Sequence, residues 1–335
     1  MSKKIVRSIW LLLLLVFLQG IATAQQTTTP TRESEEKEIV LAFKTQLVLV
    51  PFSVADRTNR TVNNLKAEEV KLYENGQPVQ LVSLQRAGSK PLNFALLLDL
   101  SGSMQPHLES ARAAASRFFE RALKPGKDRA AIVAFQQEIM LAQPLTMEKA
   151  ALQQAIGDRL LTLPTFSTIN ARLETNTKRL IGTALYGAIY VAVDEVLQPA
   201  GGHRVIVLIS DGYDSESGIE LRDALDYAWR REVTIYAIGL GDPAGLNREV
   251  LERLCTTTGG RVFYPKTTAQ LDEAFAQIDE DLREQYILSF YPNAQANDTF
   301  RTIKIEIPSR PSLAIYHRFG YYNALVDETT NDKTE

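Results

Sequence analysis

Phe94-Ala95-Leu96-Leu97-Leu98-Asp99-Leu100-Ser101-Gly102-Ser103 is the stretch on which the fold turns. Five apolar residues in a row mark a strand buried on both faces, the kind found where helices cover a parallel sheet. The run ends in a carboxylate and two hydroxyls, at the point where the chain leaves the strand. In doubly wound folds that carboxyl edge is where ligands bind. Gly102, between the hydroxyls, is expected to let the turn fold tightly enough for both to face one point.

The same design returns downstream. Val205-Ile206-Val207-Leu208-Ile209 is a second buried strand, and it ends in Ser210-Asp211-Gly212. Between the two, Gly182-Thr183 opens a helical pattern and supplies a third hydroxyl. Working outward, Leu108, Ala111, Ala115, Phe118 and Ala122 recur at helical spacing, and Ala130 to Phe135 is a strand. Helical patterns cover Met147 to Leu161, Thr183 to Leu197, Ile219 to Arg230, Arg248 to Thr257 and Ala269 to Arg283. Strands cover Val233 to Ile238 and Arg261 to Tyr264. The alternation predicts an α/β fold, a doubly wound and mostly parallel sheet with helices on both faces.

The flanks have a different rhythm. From 39 to 90 the apolar residues come in short alternating runs, and Asn75-Gly76 is a hairpin signal. Tyr286 to Tyr291, Thr302 to Ile307 and Leu313 to His317 are again short alternating runs. Each flank is too small for a good core of its own, so 39–90 and 286–323 are expected to form one small all-β, sandwich-like module into which the α/β domain, 91–285, is inserted. The helix ending at Arg283 runs with almost no linker into the β run at Tyr286.

Lys3, Lys4 and Arg7 precede an apolar run from Ile9 to Leu18 and the small-residue pattern Ile21-Ala22-Thr23-Ala24. This reads as a signal peptide over 1–24, cleaved after Ala24, because the apolar run is far short of the roughly 20 residues that span a bilayer. The protein is therefore expected to be secreted or periplasmic, without a transmembrane segment after cleavage. Residues 25–38 read as a flexible leader and 324–335 as a disordered tail, both polar and without periodicity. The 335 residues suggest about two domains. A formal net charge of −3, more negative once the basic signal peptide is lost, argues against a nucleic-acid partner. Cys255 is the sole cysteine, so no intramolecular disulfide forms, and its apolar neighbours make it a small buried hydrophobe.

Asp99, Ser101, Ser103, Thr183 and Asp211 together read as one metal site. An Asp-x-Ser-x-Ser run alone is weak, since these residues also make turns and cap helices, and Ser103 suits an N-cap. Three elements in order, each at its structural place, make the case. All donors are hard oxygens, which suits Mg²⁺, or Mn²⁺ in its place, and argues against zinc. Three neutral hydroxyls and two carboxylates leave a bound cation electrophilic enough to accept an external carboxylate, a design for binding. His107, His203 and His317 fall in unrelated segments without ligand or triad spacing and read as packing. Asp214 and Glu216, just beyond Asp211, read as loop charge.

Asp99-x-Ser101-x-Ser103, Thr183 in Gly-Thr-Ala-Leu-Tyr and Asp211 in Ile-Ser-Asp-Gly resemble the metal-ion-dependent adhesion site (MIDAS) of von Willebrand factor type A (VWA) domains, over roughly 91–285. Val70 to Gly76, Leu282 to Leu288 and Phe319 to Tyr322 are similar to an exported bacterial group, the VWFA-related Acidobacterial domain proteins. The resemblance implies that Ser101, Ser103 and Thr183 contact the metal more directly, while Asp99 and Asp211 act through metal-bound water. It also implies a last helix that shifts when the site closes on a ligand. Pro164 to Leu180 departs from the group, being longer and more polar than its compact loop. The implied function is non-enzymatic, a metal-dependent module for protein binding and cell adhesion whose partner presents an Asp or Glu carboxylate. Two alternatives stand beside it: a Mg²⁺-dependent phosphoryl-transfer hydrolase, which would place a second Asp where Ser101 stands, and a structural envelope protein with a relic site.

Overall fold

The computed structural model describes residues 47–87, 90–157, 184–215, 217–293 and 300–322. The signal peptide, leader, tail and the 164–180 stretch lie outside these residues. Four strands come first: β1 (Val48–Ala55), β2 (Lys71–Glu74), β3 (Gln77–Val79) and β4 (Leu81–Arg86). The turn between β2 and β3 has Asn75 at φ 48° and Gly76 at φ 77°. Two consecutive left-handed residues are what a two-residue hairpin requires, and Asn-Gly adopts them at least cost.

The central region follows as β5 (Leu92–Asp99), α1 (Leu108–Ala122), β6 (Arg129–Phe135), β7 (Ile139–Thr146), α2 (Lys149–Ile156), α3 (Leu185–Val191), β8 (His203–Ser210), α4 (Leu221–Arg230), β9 (Val233–Gly239), α5 (Arg248–Thr258), β10 (Val262–Phe263) and α6 (Thr268–Glu284). Its six strands lie in the order β10-β9-β8-β5-β6-β7. All pairings are parallel except that of β7 with β6. Every residue of β5 is buried, as its unbroken apolar run predicts. Alternate residues feed two cores. Phe94, Leu96 and Leu98 pack with Phe118 of α1 and Phe275 of α6. Ala95 and Leu97 face Leu185 of α3, Leu225 of α4 and Leu254 of α5.

The chain closes with β11 (Tyr286–Phe290), β12 (Phe300–Glu306), β13 (Ala314–His317) and β14 (Gly320–Tyr322). These strands interleave with the first four, as sheets of order β13-β1-β11-β4 and β14-β12-β2-β3. Between the two sheets lies a third core, including Val50, Phe52, Leu72, Leu288, Phe290 and Ile303. The fold is thus a mostly parallel α/β domain inserted in a small β module whose sheets draw strands from both flanks.

Some elements differ from the sequence expectation. The edge strand β7 is not among the strands expected from the sequence; it contains Pro144, and its pairing with β6 carries two register shifts. Proline is tolerated there because an edge strand has an N–H side facing away from any partner. The run expected as a strand from Arg261 to Tyr264 pairs with β9 only at Val262 and Phe263. Cys255 is buried, and that burial pushes its thiol well above the ordinary range.

The inserted domain and the β module are tied by side-chain contacts, one of them to a buried ion pair. Arg261, beside β10, donates to both carboxylate oxygens of Asp281 on α6 at 3.0 and 2.8 Å. Thr61, just after β1, donates to the same carboxylate at 2.8 Å. Farther round, Trp229 of α4 packs on Phe300, ring centroids 5.1 Å apart, and Arg318 pairs with Glu232 at 2.9 Å. Gln285 alone separates α6 from β11.

Candidate functional site: the carboxyl edge of the central sheet

β5 and β8 lie side by side and in parallel, Leu98 opposite Ile209, so their carboxyl ends deliver Asp99 and Asp211 to the same edge. After Asp99 the chain peels away: Leu100 N–H still donates to Phe135 at the end of β6, and Ser101 N–H turns back to Asp99 Oδ1 at 2.8 Å. A short 3₁₀ helix, Gly102–His107, then leads into α1. Ser101 Oγ and Ser103 Oγ lie 3.1 Å apart, and Ser103 Oγ donates to Asp211 Oδ2 at 2.6 Å. Four of the five residues singled out in the sequence therefore meet. Thr183, the fifth, lies outside the described residues. Its neighbour Ala184 donates its N–H to Gln136, just beyond β6.

Asp99 is fully buried and Asp211 nearly so. Burial is the largest influence on the Asp99 carboxyl and raises it above the usual range; the charge of Asp211 pushes the same way, while hydrogen bonds from Ser101 and Ser210 oppose it. The partners of both carboxylates among the described residues are hydroxyls and backbone N–H groups. Among the described residues, two acidic groups thus share a small volume with no cationic side chain to offset them, and the side-chain atoms gathered there are oxygens. Hard-oxygen donors around a carboxylate pair suit a small divalent cation of the Mg²⁺ kind, which binds few protein oxygens and keeps waters. Among the described residues no three His, Cys, Asp or Glu side chains gather as a metal-binding group, and the set here is of a different kind, two carboxylates and hydroxyls.

Ser210, which in the sequence only closes the second buried strand, has a larger part. Its hydroxyl donates to Asp99 Oδ2 at 2.7 Å and accepts from Gly212 N–H at 2.9 Å, tying the two aspartate loops together. Tyr213 N–H fixes Asp211 Oδ1 at 3.1 Å. Gly102 does not do what was expected of it, since its φ is not positive and an added Cβ would meet nothing within 4 Å. The glycine this site requires is Gly212, at φ 86°, where a Cβ would stand 2.8 Å from Asn247 O and from Leu251 Cγ.

Asp214 accepts from Ser217 at 2.7 Å in the loop beyond, while Glu216 lies outside the described residues. His203 begins β8 at the opposite edge of the sheet and His317 belongs to β13. His107 ends the short helix that carries Ser103.

None of the curated proteins matches this chain. Among solved structures it is similar to an aerotolerance-related membrane protein from Bacteroides fragilis, with 18% identity over 56% of this chain and 98% of that one and a TM-score of 0.42. It is similar also to a von Willebrand factor type A protein from Catenulispora acidiphila, with 16% identity over 72% and 51% of the two chains and a TM-score of 0.46. A third is proximal thread matrix protein 1 of the mussel byssus, whose MIDAS motif is zinc-occupied, with 15% identity over 62% and 49% and a TM-score of 0.46. The model of the von Willebrand factor type A domain matches residues 93–277. That stretch begins one residue into β5, ends within α6 and takes in both aspartate loops, and by it the chain belongs to the von Willebrand factor type A domain family.

Proposed function

We propose that this protein is a non-enzymatic binding module that holds an acidic group of a protein partner through one divalent cation, Mg²⁺ or Mn²⁺. Asp99, Ser101, Ser103, Thr183 and Asp211 would hold the cation, which when bound supplies a Lewis-acidic point for a carboxylate oxygen from outside. The observation that carries this reading is Asp99. It is a wholly buried carboxylate, raised by burial and by Asp211, and no cationic side chain among the described residues offsets it. A charge so placed is costly unless something neutralises it.

The residues of the chain have separate tasks in this scheme. Ser210 and the Ser101 N–H orient Asp99, Tyr213 N–H orients Asp211, and Ser103 ties the two loops through Asp211. The Tyr213 side chain is half exposed at the rim, an amphipathic surface of the type that anchors protein partners. Export to the periplasm or the exterior belongs to the same reading. Among the described residues no helix is long and apolar enough to cross a membrane.

The test is capture of envelope proteins on the immobilised chain with Mg²⁺ or with excess EDTA. Capture is expected with Mg²⁺ only, to be lost with Thr183→Ala, and to be lost when the acidic residues of the captured protein are neutralised. Equal capture in EDTA contradicts the metal-mediated reading. Turnover of a generic phosphate ester that vanishes with Asp99→Asn contradicts the non-enzymatic one.

A further inference from the structure

We propose that a cavity beside the aspartate loops receives a second acidic side chain of the same partner, so that the segment recognised carries two carboxylates a few residues apart. The inference rests on the reading of Asp99, Ser101, Ser103 and Asp211 as the place where the first carboxylate is held. The cavity, about 440 Å³, opens at the carboxyl ends of β9 and β10. His107, Gly241, Leu246, Arg248, Tyr264 and Lys266 contribute to its walls, and among the described residues no Asp or Glu does. In a chain with more acidic than basic residues, such a lining is a local reversal of charge.

Its cations are available. The Arg248 guanidinium lies over the Tyr264 ring, 3.9 Å from its centroid, a contact that leaves its charge in place. The Tyr264 hydroxyl is turned to Glu252, 3.3 Å away. No ion pair among the described residues includes Arg248 or Lys266.

The cavity adjoins the Asp211 loop. Asn247, adjoining Arg248, donates its N–H to the Asp211 carbonyl at 2.8 Å. A Cβ at Gly241 would lie 3.8 Å from Asp211 Cβ. His107 ends the same short helix that begins with Gly102 and carries Ser103. The Asp211 loop therefore stands directly behind Gly241 and Leu246 of the cavity wall. An extended peptide advances about 3.3–3.6 Å per residue, so acidic residues one to four positions apart lie within about 14 Å of each other, distances that the peptides below sample. The volume accommodates a Glu side chain and several waters, each taking about 30 Å³. Opposite charge across such a contact favours the two-acid segment over a one-acid one.

The test uses the full chain and synthetic peptides that carry either one Asp, or an Asp and a Glu separated by one to four Gly. Binding is read by fluorescence anisotropy in Mg²⁺ and in EDTA, for the native chain and for Arg248→Glu/Lys266→Glu, with Arg248→Gln/Lys266→Gln as a milder pair. The best two-acid peptide is expected to bind about tenfold tighter than the one-acid peptide, the scale of two partly exposed ion pairs. Either double variant should remove that advantage and leave Mg²⁺ binding unchanged. Equal affinity for the two peptides, an advantage that survives charge reversal, or no binding of any two-acid peptide overturns the inference. An advantage that needs Arg248 and Lys266 yet persists in EDTA upholds the cavity and contradicts the metal reading. Binding lost in EDTA without a two-acid advantage does the reverse.

Discussion

Asp281→Ala should be among the most damaging single substitutions remote from the aspartate loops. The Asp281 side chain is fully buried and that of Arg261 is 4% exposed. Asp281 accepts two bonds from Arg261 and one from Thr61, all within 3.0 Å. The guanidinium lies 5.0 and 4.9 Å from the ring centroids of Phe263 and Tyr316, with Asn59 O at 3.4 Å as its other described partner. Removing the carboxylate strands a positive charge beside those rings. Breaking a buried pair in this way costs about 3–5 kcal/mol, a large share of the roughly 5–15 kcal/mol that keeps a domain folded. Removing both charges is far milder, because the attraction within a buried pair only about offsets the cost of desolvating it. Urea unfolding followed by circular dichroism should therefore show Asp281→Ala losing about 3–5 kcal/mol, and Arg261→Met/Asp281→Leu recovering most of it. A loss under about 1 kcal/mol for the single variant, or a double variant as unstable as the single, would refute the reasoning. Asp281 lies one turn from the end of α6, so the pair fastens that end of the helix to the residue preceding β10.

Three further outcomes follow from particular residues. Gly212→Ala forces a Cβ into a left-handed position and against Asn247 O, so a loss of about 2 kcal/mol in the same unfolding assay, with weakened cation binding, is expected; unchanged stability would contradict it. His203 titrates at about 4 in the fold, lowered from 6.5 first by burial and then by the charge of Lys90. The unfolded chain therefore takes up the proton first, and stability should fall by about 2–3 kcal/mol as pH drops from about 6.5 to about 4. Comparison of native and His203→Gln unfolding across that range checks it, and identical pH profiles would contradict it. Cys255, buried and with its thiol pushed up, should resist iodoacetamide in the native chain and react on unfolding; rapid native alkylation would contradict the burial.

What the sequence disclosed and what it withheld divide along the range of the interactions. Asp99, Ser101, Ser103 and Asp211 were visible because they stand at the ends of apolar runs, and the position of a strand end is a local property. The helices were visible from periodicity, and the split β module from the inability of either flank to bury a core alone. Ser210 was hidden because its acceptor, Asp99, lies 111 residues away. The Arg261–Asp281–Thr61 contact was hidden for the same reason, as it joins three elements. Gly102 misled because a glycine between two serines looks like a conformational need, whereas the strained position is Gly212, where α5 crowds the loop. The edge strand β7 was masked by Pro144 and its irregular register.

The central claim is a single cation held by the aspartate loops, and isothermal titration of the metal-free chain with Mg²⁺ tests it most directly. One site per chain is expected in the native protein and none in Asp99→Ala/Asp211→Ala, with the circular dichroism of the variant unchanged. Mg²⁺ binding that persists undiminished in the folded double variant would contradict the claim.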